Sequence, residues 1–153
     1  MHADAKIDPT LRPIGGNDTI VALSTPPGVA ALAVIRLSGA ESRAIAGKLI
    51  AAKKAEEFEW RPGHAAYQVL SYRDQVLDDV VLTFWEGPHS YTGEDTVEIS
   101  CHGNPHIVEN ILRACLELGA RTARPGEFTQ RAFLNDKLSL TQAEGLQIGR
   151  AHV

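Results

Sequence analysis

The residues that could do chemistry include an arginine in the middle of an apolar segment. Arg36 lies in AALAVIRL (30–37) and shares its side of a predicted strand with Leu32 and Val34. Burying a guanidinium without a partner is costly, so this side chain needs one. It could form an ion pair with a carboxylate such as Glu98, or it could bind an anionic or carbonyl group of a ligand. Residue type alone favours the ion pair.

Glu98 is a second candidate because it lies inside a segment that alternates cleanly between apolar and polar residues. In TVEISCH (96–102), the side chains of Val97, Ile99 and Cys101 point to one face of the predicted strand, and Glu98 points to the other. Such a glutamate is usually solvated. Held on a rigid strand, however, one carboxylate can accept two parallel hydrogen bonds from the edge of a heteroaromatic ring.

Two further positions, Lys137 and the pair Cys101-His102, are candidates with less physical support. Lys137 follows Asn135 and Asp136 in a predicted turn, and a solvated surface lysine is by far the commonest outcome. Cys101 and His102 suggest a nucleophile and its base, but adjacent side chains on a strand point to opposite faces. Cys101 is therefore assigned to the core. No third and fourth ligand stand at a recognisable spacing, so the pattern does not favour a metal site.

The composition is that of an ordinary globular domain. The chain has 153 residues, 44% hydrophobic and 22% charged, which suits one domain with a real core. Its net charge of −4, from 15 basic and 19 acidic residues, argues against a domain that grips nucleic acid by its own electrostatics. The two cysteines form no CxxC pair, which is typical of reduced thiols. No apolar run approaches a membrane span and the first residues resemble no targeting peptide, so we expect a cytoplasmic location.

The elements that must position these residues follow from hydrophobic periodicity and from capping residues. Strands are predicted at 19–25, 30–37, 65–72, 77–85 and 96–102, with a short extended piece at 121–123 and helices after Ser38, after Asn104 and before Leu134. The first helix should be capped by Ser38 with Glu41 reaching back, and the second should begin at Asn104 and end at Gly119. The charged segment 53–60 is expected to be exposed. The order β-β-α-β-β-β-α, without strict alternation, predicts the α+β class.

The chain divides into four predicted parts. Residues 1–17 are polar and contain two prolines, which favours a flexible tail. Residues 18–137 form the predicted domain, and residues 138–147 begin a helical domain, since Thr141 and Glu144 have capping-box spacing. The last six residues, IGRAHV (148–153), match the translation of a sequencing-library adapter. We interpret them as an artefact and expect the natural chain to continue as a helix; a natural helix end is the alternative.

Four groups of motifs together resemble a known family. They are DTIVA (18–22) with TPPG (25–28), IRLSG (35–39), YTGED (91–95) with Glu98 and CHG (101–103), and RPGEF (124–128) with RAFLN (131–135) and QAE (142–144). In this order and spacing, they resemble the N-terminal domain of the MnmE (TrmE) family of tRNA-modification GTPases. The resemblance covers about residues 18–144, and it is specific although each motif alone is weak.

The resemblance implies a fold and a ligand. It implies a β2-α-β3-α module similar to the folate-binding module of the aminomethyltransferase of glycine cleavage, with two copies pairing as a homodimer. It further implies that 5-formyltetrahydrofolate, or a related one-carbon tetrahydrofolate, binds near the interface. Arg36, Glu98 and Lys137 match the family's folate-contact positions. One departure stands after TPPG, where many members have Arg-Gly-Gly and this chain has Val29-Ala30-Ala31.

The resemblance also implies partners that other parts of a full-length protein would bind. Family members act with the flavoprotein MnmG (GidA) on C5 of the wobble uridine of certain tRNAs, and the folate supplies the one-carbon unit. GTP, potassium and magnesium would bind through a G domain. This sequence has no G-x-x-x-x-G-K-[ST] phosphate loop, so we expect no GTPase activity from it, and no tRNA binding by this domain alone. The alternative is a free-standing folate-dependent one-carbon transferase, which would need a double module, and the sequence contains no internal repeat.

Overall fold

The computed structural model of the chain describes residues 18–139, together with Gln142 and Gly145. The predicted tail (1–17), the capping box of Thr141 and Glu144, and the terminal segment 148–153 lie outside the described residues. Among the helices that are described, none has the length and apolar character needed to cross a membrane.

The described residues form an α+β domain whose main elements follow the predicted order. The elements are β1 (Ile20–Leu23), β2 (Ala30–Ser38), α1 (Ser42–Leu49), α2 (Ala52–Ala55), β3 (Ala65–Tyr72), β4 (Gln75–Trp85), β5 (Thr96–Gly103), α3 (Pro105–Glu117), β6 (Arg121–Thr122) and α4 (Glu127–Leu134). Only the single turn α2 was not predicted. It overlaps the start of the charged segment 53–60, for which no helix or strand was predicted.

All six strands join one sheet in the order β3-β4-β5-β2-β1-β6. Neighbouring strands are antiparallel except β1 and β6, which are parallel. Helices α1 and α3 pack against one face and close the core, whose buried strand residues include Ile35, Leu82 and Ile99. We call the opposite side the outer face. Glu98 and Arg36 lie on it, because their neighbours in sequence are the core residues.

The alternation predicted for β5 is confirmed, with one exception. Val97, Ile99 and Cys101 are buried in the core, as predicted. Thr96 was expected on the polar face but is also buried, because the loop before β5 folds over it and Thr92 lies within hydrogen-bond distance of its hydroxyl. The outer face is therefore covered at this end of β5 and open further along the strand.

The predicted cap of the first helix is wrong, whereas that of the second is confirmed. Ser38 remains part of β2 and is fully buried, and its hydroxyl is paired with that of Thr92 at 2.7 Å. Because the strand continues through Ser38, α1 begins only at Ser42, with Glu41 at the cap position and no side-chain cap bond. In α3, Asn104 accepts a hydrogen bond from the backbone N–H of His106, as predicted.

Candidate functional site

Arg36 and Glu98 form an ion pair on the outer face of the sheet. The two residues are directly opposite each other in the antiparallel register of β2 and β5. Arg36 Nη2 lies 3.4 Å from Glu98 Oε1, and the side chains are 17% and 30% exposed. The pairing that residue type favoured is therefore present. It engages one oxygen of the carboxylate, and no other described residue donates a hydrogen bond to Glu98.

Two aromatic rings hold the guanidinium of Arg36. Its central carbon lies 5.2 Å from the ring centroid of Tyr91 and 5.4 Å from that of Phe128, within the range of cation–π attraction. Tyr91 comes from the loop before β5, and Phe128 comes from α4. Arg36 Nε is buried and finds no hydrogen-bond partner among the described residues. The arginine is thus fixed by packing, and through the ion pair it restrains Glu98.

Glu98 and Lys137 line one cleft of about 340 Å³, which we call the Glu98 cleft. Its other lining residues are Trp85, His89, Ser90, Tyr91 and Thr96. Arg36 is not among them, but it contacts two residues that are, Tyr91 and Glu98. Of the three residues singled out in the sequence, two therefore share a cleft and the third lies directly behind it. The cleft combines a carboxylate, an ammonium group and an exposed aromatic ring.

A buried cluster of charges holds α4 against the loop that forms the cleft. Arg131 is only 1% exposed and donates hydrogen bonds to Asp18, Glu94 and Glu127 at 2.8–3.3 Å. Arg121 also pairs with Asp18 and Glu127, in each case at 2.6 Å. We call these five residues the Arg131 cluster. They tie together the start of β1, the loop before β5, β6 and α4, which lie far apart in sequence.

Burial and the neighbouring arginines have opposite effects on the pKa values of the three carboxyl groups in this cluster. Burial raises the pKa of Asp18, but the hydrogen bond and charge of Arg121, together with the charge of Arg131, outweigh it and leave the pKa lowered. The pKa of Glu127 is lowered for the same reasons. For Glu94, burial dominates and raises the pKa in spite of Arg131. Glu94 is consequently the carboxyl group of the cluster that protonates first.

Further hydrogen bonds place Lys137 at the cleft. The side-chain amide of Asn135 donates to the carbonyl oxygen of Thr92 at 2.9 Å, which joins the end of α4 to the loop. The backbone N–H of Lys137 donates to the carbonyl oxygen of Ala132 at 2.8 Å. A Cβ on Gly93 would lie 2.7 Å from Asn135, so only glycine permits this close approach. The turn that ends α4 and its attachment to the loop before β5 together determine where Lys137 lies.

The adjacent Cys101 and His102 do not form a nucleophile and base pair. Cys101 is buried in the core, and burial raises the pKa of its thiol to about 11. The imidazole of His102 lies on the outer face, where Nδ1 is 2.9 Å from Asp78 of β4. Asp79 lies beside this pair. A carboxylate oxygen of Asp78, one of Asp79 and a ring nitrogen of His102 all lie within 4.8 Å of one another. Spacing in the sequence did not reveal this group, because its members come from two paired strands.

Residues of two of the sequence motifs line another cleft, of about 550 Å³, beside the neighbouring strands β1 and β6. It lies between residues 22–27, which include most of TPPG, and residues 123–126 with Phe128, which include most of RPGEF. Val29, where the sequence departs from the usual Arg-Gly-Gly, follows this turn and is 91% exposed. The departure therefore covers one exposed residue of the turn and the first two residues of β2, which are also exposed, and none of the three lines the Glu98 cleft.

Comparisons with known proteins agree with one another. The model of the family described as "GTP-binding protein TrmE N-terminus" matches residues 19–137. A "tRNA modification GTPase MnmE" from Chromohalobacter salexigens is 48% identical over 138 residues, covering 90% of this chain and 29% of that protein. The proteins of the same name from Francisella tularensis subsp. novicida and Thermotoga petrophila are 47% and 46% identical over 129 and 130 residues. They match 84% and 85% of this chain, which spans under a third of the length of each relative.

Proposed function

Because this chain belongs to the TrmE N-terminal family, we propose that it is the folate-binding and dimerising domain of a tRNA modification GTPase. The proposed ligand is 5-formyltetrahydrofolate or a related one-carbon tetrahydrofolate. The observation that carries the proposal is the Glu98 cleft, where Glu98 and Lys137 stand together and Arg36 supports Glu98 from behind.

The residues of the cleft suit such a ligand. A pterin edge offers an amide N–H and an exocyclic amine side by side, and the Glu98 carboxylate can accept both. The ion pair with Arg36 uses one direction of Oε1 only, which leaves acceptor capacity on both oxygens. Lys137 provides positive charge for the carboxylates of the ligand's glutamate tail. When bound, the folate supplies the one-carbon unit, and the chain's residues bind and orient it.

The outer face supports the proposal of a homodimer. Leu32 on β2 and Tyr67 on β3 are 63% and 65% exposed, and Val81 on β4 is also exposed between them. Large apolar side chains on one open sheet face are typical of a surface that a partner covers. A second copy related by twofold symmetry would cover it and bring two Glu98 clefts into one assembly.

The remaining steps belong to a full-length protein of which this chain would be one part. We propose that GTP, potassium and magnesium bind to a separate G domain, and that MnmG and tRNA assemble with the whole protein in the cytoplasm. Its action would be on C5 of the wobble uridine. The acidic charge balance of this chain, −4, supports the idea that the tRNA phosphates are held elsewhere. The proposed boundary of the folate-binding domain is 18–137.

Isothermal titration calorimetry with 5-formyltetrahydrofolate tests the ligand. Glu98→Gln keeps the shape of the side chain but replaces one acceptor by a donor, so affinity should fall at least about tenfold, or roughly 1.4 kcal/mol. Glu109→Gln is the matched control, since Glu109 lies on the exposed side of α3 and should bind like the wild type. Circular dichroism establishes that both variants fold. No binding to the folded wild type, or equal affinity in Glu98→Gln, would refute the assignment; sedimentation as a monomer at tens of micromolar would refute the dimer.

A further inference from the structure

We propose that Trp85 is a specificity-determining residue of the Glu98 cleft, where its indole stacks on the planar pyrimidinone ring of the ligand's pterin. This inference rests on the proposed function, because it assigns a residue to the same ligand. Trp85 was not among the residues singled out in the sequence, where it reads only as the end of a strand.

The position of Trp85 is fixed by the sheet and by a turn. It is the last residue of β4 and is paired with Thr96 at the start of β5, so its Cα is held by the same register that holds Glu98. A Cβ on Gly63 would lie 3.7 Å from Cζ3 of the indole, so the turn at Gly63 packs beside the six-membered ring. The side chain is nevertheless 38% exposed and lines the cleft. A large aromatic ring is thus held in place and still accessible.

Trp85 differs from Tyr91, the other large aromatic residue of the cleft, in the contacts that its ring makes. The ring of Tyr91 is occupied by the guanidinium of Arg36, and its hydroxyl is paired with that of Thr129 at 3.0 Å. No ring–ring or cation–π contact of the described residues involves Trp85. In the described lining, Trp85 is therefore a partly exposed aromatic ring without a ring or cation partner.

The cleft then contains three complementary recognition elements for one ligand. Glu98 would accept hydrogen bonds along the edge of the ring, Trp85 would cover its face, and Lys137, which also lines the cleft, would attract the anionic tail. The volume of about 340 Å³ is at the low end for ligand pockets, roughly 300–1,000 Å³. It therefore suits the ring portion of a folate, with the tail outside. Stacking selects for a flat conjugated ring, which the carboxylate alone cannot do.

The two tryptophans of the chain allow a direct test by fluorescence. Trp60 is the internal control, because it packs edge-on against Phe58 and Phe84 at 4.8 and 5.9 Å between centroids and lines a different cleft. The full chain and its Trp60→Phe and Trp85→Phe variants are titrated with 5-formyltetrahydrofolate. Free N-acetyltryptophanamide corrects for light absorbed by the ligand, and calorimetry gives the affinities of these proteins and of Trp85→Ala.

We expect quenching to persist in Trp60→Phe and to disappear in Trp85→Phe. Loss of an aromatic pair weakens binding by about 2- to 13-fold, and loss of buried area adds to this. Trp85→Ala should therefore bind at least about fivefold more weakly, while Trp85→Phe stays within about threefold of the wild type.

The outcomes separate this inference from the proposed function. If Glu98→Gln loses affinity but Trp85→Ala binds like the wild type, or if quenching follows Trp60, the role of Trp85 is wrong and the folate site stands. If the folded wild type shows neither heat nor quenching, both proposals fail. Should Trp85→Ala fail to fold, the fluorescence of Trp85→Phe and Trp60→Phe decides the question alone.

Discussion

Replacing Arg131 by methionine should destabilise the domain strongly, because it removes the central cation of a buried cluster. Arg131 joins three carboxyl groups, those of Asp18, Glu94 and Glu127, and Arg121 reaches only the first and last of them. Removing one partner of a buried ion pair costs about 3–5 kcal/mol, since the remaining charge stays buried. For a domain of this size, about 4 °C per kcal/mol gives a fall in Tm of roughly 12–20 °C.

The dependence of this loss on pH separates electrostatics from packing. Burial already raises the pKa of Glu94, and the variant also loses the Arg131 charge and hydrogen bonds that lower it. A carboxyl group whose pKa is raised in the folded state disfavours folding once it ionises, that is, as the pH rises through that value. The deficit of Arg131→Met relative to wild type should therefore be larger at pH 8 than at pH 5. Asp18 and Glu127 also lose the Arg131 charge that helps to lower their pKa values, so their contributions change the deficit in the same direction.

Urea unfolding followed by circular dichroism at pH 5 and pH 8 measures these differences. The matched control is Arg113→Met, since Arg113 pairs with Glu109 at 2.8 Å on the surface, with both side chains more than 60% exposed. That loss should stay below about 0.5 kcal/mol. A loss under about 1 kcal/mol for Arg131→Met, or a loss equal at both pH values, would show that the cluster does not carry the stability assigned to it.

Two further predictions concern the sheet. The hydrogen bond and charge of Asp78 raise the pKa of His102. The stabilisation from protonated His102 is therefore complete below its ordinary pKa and disappears as the pH rises through the raised value. NMR titration of Asp78→Asn should show a lower His102 pKa than in the wild type, and an unchanged pKa would contradict the pairing. A Cβ on Gly103 would overlap the carbonyl group of Ala30 on β2, whereas one on Gly47 in α1 would meet nothing within 4 Å. Gly103→Ala should therefore lose about 1–3 kcal/mol or more by urea unfolding, and Gly47→Ala should be neutral or stabilised by up to about 1 kcal/mol; equal stabilities would refute this difference.

The fold could be predicted where local patterns and tertiary packing agree. The alternation of β5 and the cap at Asn104 are local features that the packed structure keeps. At Ser38 and Glu41 the local pattern and the packing disagree. Their spacing predicts a capping box, but Ser38 stays in β2, where its hydroxyl pairs with that of Thr92, 54 residues away. Nothing in the spacing of the sequence indicates that contact.

The candidate site could be predicted in part for the same reason. Arg36 and Glu98 stand out because each is a charge inside a strand pattern, and the register of two antiparallel strands then brings them together. Arg131 does not stand out, since an arginine in a helix is usually solvated. One local sign was present, the i,i+4 spacing of Glu127 and Arg131. Its other partners, Glu94 and Asp18, lie 37 and 113 residues away, beyond any local pattern.

The two halves of the Glu98 cleft are built with different rigidity, and this divides their roles. Glu98 and Trp85 lie on paired strands, whose hydrogen-bond ladder fixes both positions relative to each other. Lys137 follows α4 and reaches the cleft only because the Arg131 cluster and Asn135 hold that helix against the loop. Rigid elements suit groups that must match the edge and face of a ring within tenths of an ångström. A positive charge acts over a longer range, so it can be supplied from a helix end. In the proposed folate site, selection of the ring would therefore reside in the sheet, and Lys137 would contribute attraction that depends on the integrity of the cluster.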